Sequence, residues 1–308
     1  MQMKLKSLRK YVWPLLVLFA SAMWGSSFVA SKVCITNGML EFETIFYRFS
    51  VGALLIGVLF HKQMRHLSKK VIVSGILLGV CNALACITEI YGLKLTDASK
   101  ASFLIAINIV LFPLMYCAFY RLHLQIHTVI AAGLTLVGVG VLSLTNGFGS
   151  LSFGDVLLII TGVLYAVGSL MMVVLCQNES GIQVTFVQFV TIAVIMGVFT
   201  LFQGSGKPFP PSAIAALAFL IVFPTVICFY IKLESLKYLD PVLCTLLLST
   251  ESIFCAIFSF FILHEAFTLR AVIGAVFISS GIVIESLHPV EKGNSPHSEE
   301  DKSCRSFR

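Results

Sequence analysis

Long apolar runs alternate with short polar stretches along the whole chain. The runs fall near residues 13–35, 43–60, 71–93, 101–120, 127–145, 155–176, 184–202, 212–233, 241–263 and 270–287. Each approaches the roughly 20 residues with which a helix crosses the hydrocarbon of a bilayer. A membrane β-barrel would show apolar and polar residues alternating over about ten positions, and these runs do not alternate. The pattern therefore predicts an all-α integral membrane protein with ten transmembrane helices.

Composition agrees with the pattern. Of the 308 residues, 58% are hydrophobic and 12% charged, against about 25% charged in soluble domains. Lys4, Lys6, Arg9 and Lys10 before an apolar run containing Ala20-Ser21-Ala22 imitate a secretory signal, but the run continues to about Ile35. A retained first helix after a short cytoplasmic segment, 1–12, is expected. The stretch Glu291–Arg308 is rich in Ser, Glu, Lys and Arg, so residues 288–308 are expected to form a disordered cytoplasmic tail.

Charge sets an orientation. With the N-terminus inside, the inner segments collect Lys62, Arg65, Lys69, Lys70, Arg121, Lys232 and Lys237 besides the terminal basic residues. The outer ones hold Lys94, Lys100, Lys207 and Arg270. The positive-inside bias predicts that both termini are cytoplasmic. The net charge of +6 is scattered over tails and loops, without the clustered basic surface that nucleic acid requires. Eight of nine cysteines lie in or beside apolar segments without CxxC spacing, so neither bridges nor a metal site are expected.

Sliding the sequence on itself by 143 residues superposes Gly25-Ser26 on Gly168-Ser169, Gly38 on Gly181, Phe46 on Phe189, Leu93-Lys94 on Leu236-Lys237, Asp97 on Asp240 and Gly138 on Gly281. Two five-helix repeats follow, 13–145 and 155–287. An odd number of spans per repeat turns the second one upside down, giving a pseudo-two-fold axis in the membrane plane, as in carriers that work by alternating access.

Several segments carry a family resemblance: Trp24 to Lys32 in the first span, Phe46-Tyr47-Arg48-Phe49 in the second, and Ala101-Ser102-Phe103-Leu104 through Pro113-Leu114 in the fourth. In the second half they are Gly154-Asp155, Thr250-Glu251-Ser252-Ile253-Phe254 and Leu263-His264-Glu265. In order and spacing these resemble the EamA-type branch of the drug/metabolite transporter superfamily, over roughly residues 13–287. The chain departs from the family where Ser252 replaces a proline, His264 a glycine and Leu122 a common glutamate. The resemblance implies a ten-helix inner-membrane carrier with a central cavity, for amino acids, nucleotide derivatives, sugars or toxic compounds.

A charge at a helix centre costs about 2.5–3.5 kcal/mol or more, so each one in a span needs a partner or a wet cavity. Glu251 lies mid-span and the 143-residue register maps it onto Asn108. Glu89 shares a helix face with Asn82 and Cys86. Arg48 and Lys32 could hold a substrate carboxylate or phosphate, or else pair with Glu89 or Glu41, or, for Lys32, snorkel to headgroups. Gln188 with Thr185 and Thr191 forms a polar stripe that wets a cavity or bonds helices together. Trp24 and Tyr165 could stack on a planar substrate. These eight residues, Glu251, Asn108, Glu89, Arg48, Trp24, Lys32, Gln188 and Tyr165, are the expected substrate-binding set. Pro113 and Pro224 are candidate helix breaks. Glycine faces at Gly75 and Gly79, and at Gly133, Gly138, Gly140, Gly274 and Gly281, suggest close helix contacts and a homodimer.

No GxSxG, HExxH or phosphate-cradling loop is present. The expected function is secondary active transport, export or exchange, of a small metabolite such as an amino acid or nucleotide derivative, without a cofactor and driven by a proton or counter-substrate. The alternatives are a membrane-embedded enzyme using Glu251, Glu89 and His264 or His123, and a metabolite-sensing membrane subunit.

Overall fold

The computed structural model describes residues 2–96, 98–143, 152–176, 179–203, 210–263 and 269–287. Asp97, His264, Glu265 and the segment 288–308, each drawn on above, lie outside them. All regular structure among the described residues is helical. In chain order the helices are α1 (Gln2–Thr36), α2 (Glu41–Leu59), α3 (His61–Met64), α4 (Lys69–Leu95), α5 (Ala98–Ile105), α6 (Asn108–Tyr120), α7 (Ile126–Ser143), α8 (Phe153–Cys176) and α9 (Gly181–Gln203). They continue with α10 (Pro211–Leu220), a π-helical stretch (Ile221–Ile227), α11 (Cys228–Ser235), α12 (Pro241–Leu248), α13 (Glu251–Leu263) and α14 (Leu269–Leu287).

Among the described residues eight stretches are long and apolar enough to cross a membrane. They are Val12–Thr36, Glu41–Leu59, Lys69–Leu95, Lys100–Tyr120, Phe153–Cys176, Gly181–Phe202, Pro211–Ser235 and Pro241–Ile262. Two more apolar helices, Ile126–Val141 and Val272–Leu287, are shorter. The apolar pattern at 127–145 and 270–287 also forms helices, α7 and α14, of 18 and 19 residues. Large apolar side chains point outward, among them Leu54 at 64% exposure and Phe202 at 85%. Surfaces of that kind belong against lipid rather than water.

Glycines set the closest packing. A Cβ on Gly75 or Gly79 of α4 would stand 2.5 Å from the Cβ of Val187 or Thr191 on α9. One on Gly138 of α7 would meet the Gly274 carbonyl oxygen of α14 at 2.7 Å. These glycine faces are therefore spent on contacts within one chain, while Gly133 has open space around it. The main pairings are α7 with α14, α4 with α8 and α9, α2 with α9, and α1 with α13 and α10.

Two crossings are interrupted. Helices α5 and α6 are separated at Ala106–Ile107, and α12 and α13 at Ser249–Thr250, and all four bounds of one pair differ from those of the other by 143. Across both interruptions the amides turn to carbonyls three residues back: Ile109 N bonds Ala106 O at 2.9 Å and Ser252 N bonds Ser249 O at 3.2 Å. At the second break Ser21 of α1 bonds the Leu248 carbonyl at 3.0 Å and the Thr250 hydroxyl at 2.8 Å. The helix therefore breaks without the family's proline at position 252.

The third interruption surrounds Pro224. Proline has no N–H to offer the preceding turn and its ring crowds the carbonyl four residues back. The Leu220 carbonyl instead accepts from Thr225 Oγ1 at 2.7 Å, and the turn widens to a π-helix. The Pro224 carbonyl accepts from Trp24 Nε1 at 2.7 Å. Pro113, by contrast, lies within a continuous α6.

Candidate functional site

The broken helices converge with α1, α2, α4, α8, α9 and α11 on a central cavity. Its volume is about 140 Å³, enough for on the order of ten water molecules. Seven of the eight residues selected from the sequence line it: Trp24, Arg48, Glu89, Asn108, Tyr165, Gln188 and Glu251.

Each is placed by a local cause. Asn108 and Glu251 open α6 and α13 immediately after the two breaks, so both point into the same space from register-equivalent positions. Gly25 lets α1 approach that point, because a Cβ there would lie 2.5 Å from the Glu251 carbonyl oxygen and 2.8 Å from Cys255 N. Helix α4 presents Asn82, Cys86 and Glu89 on one wall, as their spacing requires. Glu89 accepts a hydrogen bond from the Tyr165 hydroxyl on α8.

Arg48 Nε donates to Thr225 Oγ1, which in turn donates to Leu220 O, so the guanidinium is tied to the π-helical turn. It pairs with neither Glu89 nor Glu41, and Glu41 is taken by Lys94. Gln188 is 1% exposed and its Oε1 has no hydrogen-bond partner, as has Thr185 Oγ1. Thr191 Oγ1 bonds only its own helix, at Val187 O. The stripe on α9 therefore does not bond helices together, and Gln188 faces the cavity.

Lys32 is the exception. Its Nζ donates to Leu93 O at 3.0 Å and Thr96 O at 3.2 Å, closing the C-terminus of α4 outside the cavity. A cation at the negative end of a helix is stabilising there. His123 also lies elsewhere, exposed in the connection between α6 and α7. It cannot join Glu89 and Glu251 in an acid–base set.

Sequence reasoning passed over Lys232, which lines the cavity from α11 with Nζ 5.4 Å from the Trp24 ring centre. Counting it among inner-loop charges hid it. The signal was in the register, which maps Lys232 onto Glu89. Ser31, Ser249 and Ser252 also line the cavity. No group of three His, Cys, Asp or Glu among the described residues could hold a metal.

The family model for EamA-like transporters matches the chain twice, over residues 12–144 and 152–287. The chain belongs to the EamA-like transporter family. It is a multi-pass membrane protein and, by kinship, a membrane transporter. An Archaeoglobus fulgidus protein named an uncharacterized transporter is 27% identical over 283 residues, spanning 88% of this chain and 96% of its own length. A second of the same name and organism is 23% identical over 265 residues, with 86% and 82% covered. A crystal structure 18% identical in sequence superposes with a TM-score of 0.74 over 90% of this chain and 96% of its own, a likeness of fold.

Proposed function

We propose that this EamA-like protein is a secondary active transporter that carries a small metabolite by alternating access between two inverted five-helix repeats. The observation that carries the reading is the cavity itself: it lies where breaks in register-equivalent helices bring Asn108 and Glu251 together, with charged residues from both halves on its walls. Irregular backbone at membrane depth is sustained only against protein or a wet cavity, and in carriers it marks the substrate site.

Ten crossings, including α7 and α14, and cytoplasmic termini at a cell inner membrane complete the topology. Matching halves that enter the membrane oppositely can exchange conformations, so the cavity opens to one face and then the other. Glu89 and Glu251 are the carboxylates available for proton coupling, and a counter-substrate is the other source of drive. Of the expected solutes, an amino acid matches the cavity in size and polarity, whereas a nucleotide derivative is larger than the cavity as it stands.

Countertransport tests this reading. Proteoliposomes loaded with labelled solute should release it faster when the unlabelled solute is added outside. A sensor or an embedded enzyme would bind the solute without such exchange.

A further inference from the structure

Helices α1, α2 and α4 all line the cavity, yet neither α1 nor α2 is a main partner of α4, which packs chiefly on α8 and α9. The polar links that join the three gather at one end. Lys32 of α1 donates to the Leu93 and Thr96 carbonyls at 3.0 and 3.2 Å, and Lys94 of α4 pairs with the buried Glu41 of α2. Thr96 and Lys100 in turn bond the Asp155 carboxylate of α8, at 3.4 and 2.7 Å.

The order along each helix is the same. Between these links and the cavity centre stand Phe28 on α1, Ile45 on α2 and Ile90 on α4, which line the cavity and are at most 6% exposed. Phe42 and Tyr91 meet edge to face in the same region, ring centres 5.7 Å apart. The ends concerned are the C-termini of α1 and α4 and the N-terminus of α2, which the proposed topology puts on the outer face. An apolar seal topped by charged links thus closes the cavity towards that face.

The inverted repeat supplies the comparison. Shifted by 143 residues, Lys32, Glu41, Leu93, Lys94 and Thr96 fall on Leu175, Val184, Leu236, Lys237 and Leu239, at the inner end. Of the charged groups only one lysine is kept. Lys237 finds Val184 where Lys94 finds Glu41, and it pairs instead with Glu234, three residues back in its own segment, at 2.9 Å. Other polar links at that end, such as Lys70 with Glu179 at 3.5 Å, join α4 to the start of α9, on which α4 already packs.

We propose that Lys94 with Glu41, and Lys32 on the end of α4, form a latch that holds the outer mouth of the cavity shut, so that the unloaded protein opens chiefly to the inner face. The proposal rests on the transporter reading above and says how access to that site is regulated. Parting α1 and α2 from α4 at the outer end strips all three links at once, and separating a buried ion pair is costly. Parting the equivalent helices at the inner end breaks none of them.

The test is labelling of Cys86, retained as the one cysteine of the full-length protein in vesicles of known orientation, with a membrane-impermeant maleimide. Without solute, the reagent should react from the inner face roughly tenfold faster than from the outer, since hydrogen bonds between charged groups are the strong ones. Lys94→Glu sets two carboxylates against each other and should raise the outer-face rate by a similar factor without raising the inner-face rate. Adding Glu41→Lys to Lys94→Glu should return the outer-face rate to its starting value. Lys32→Gln removes the second link without reversing a charge, and it should raise the same rate even where the exchanged pair does not fold. Labelling that is as fast from the outer face as from the inner, rates that rise together on both faces, or an outer-face rate unmoved by both Lys94→Glu and Lys32→Gln would overturn the proposal. Solute exchange in the same vesicles separates it from the transporter reading. Exchange with labelling indifferent to these substitutions sinks only the latch, and labelling that follows the latch without any exchange sinks only the carrier.

Discussion

At the scale of single residues, the cavity depends on groups that complete interrupted backbone. Trp24 is one of them, since its indole N–H takes the Pro224 carbonyl. Trp24→Phe keeps a ring and removes the donor. Leaving a buried acceptor unsatisfied costs about 1–3 kcal/mol, so this variant should melt several degrees lower than wild type by differential scanning fluorimetry. An unchanged melting temperature would mean that the carbonyl finds another donor. Gly25 is a second such point, because it lies against the Glu251 and Cys255 backbone. Gly25→Ala must push α1 away from α13, and overpacking of that kind costs about 1–3 kcal/mol. A loss in both stability and ligand affinity is expected. The carboxylates make a functional claim: if protons drive transport, Glu89→Gln with Glu251→Gln should abolish uptake driven by a pH gradient. Undiminished uptake in that double variant would exclude proton coupling through these side chains.

At the scale of elements, the two breaks ask what makes a helix stop inside the membrane. Ser249 and Thr250 bond back to Leu246 and Leu247 carbonyls at 2.5 and 2.8 Å, an arrangement that suggests that hydroxyls cause the break. The first half argues otherwise, because its helix stops at the corresponding Ala106–Ile107 with no hydroxyl at all. Packing in the surrounding bundle is the shared cause. Ser249→Ala with Thr250→Ala should therefore preserve the break and change ligand affinity less than tenfold, at a stability cost of about 0.5–1.5 kcal/mol for each lost bond. A large loss of affinity would restore the hydroxyls to a causal role. The same element shows where sequence reading stops. The helices were legible because hydropathy reports burial in lipid directly, and Glu251 and Asn108 were legible as polar residues in apolar runs. The breaks were not, because Ala106–Ile107 and Ser249–Thr250, although the register aligns them, share no residue type that stops a helix. Lys232 was misplaced for a related reason: lying near the end of an apolar run, it read as a loop charge, whereas it stands within α11 and lines the cavity. Lys32 erred the other way, since nothing local announces that the end of α4 stops beside it.

At the scale of the whole molecule, the account joins three observations: two matches to one transporter family, helices interrupted at positions 143 residues apart, and a charged cavity between them. A cavity that serves transport must reach each side of the membrane in turn. Cys86 lines it and offers a probe. In a variant that retains Cys86 as its one cysteine, reconstituted in vesicles of known orientation, labelling with a membrane-impermeant maleimide from either side measures access directly. The account predicts modification from both faces, with the ratio of the two rates shifting when a bound solute is added. Modification from one face alone, unchanged by any solute that binds, would contradict alternating access and leave a receptor in place of a carrier.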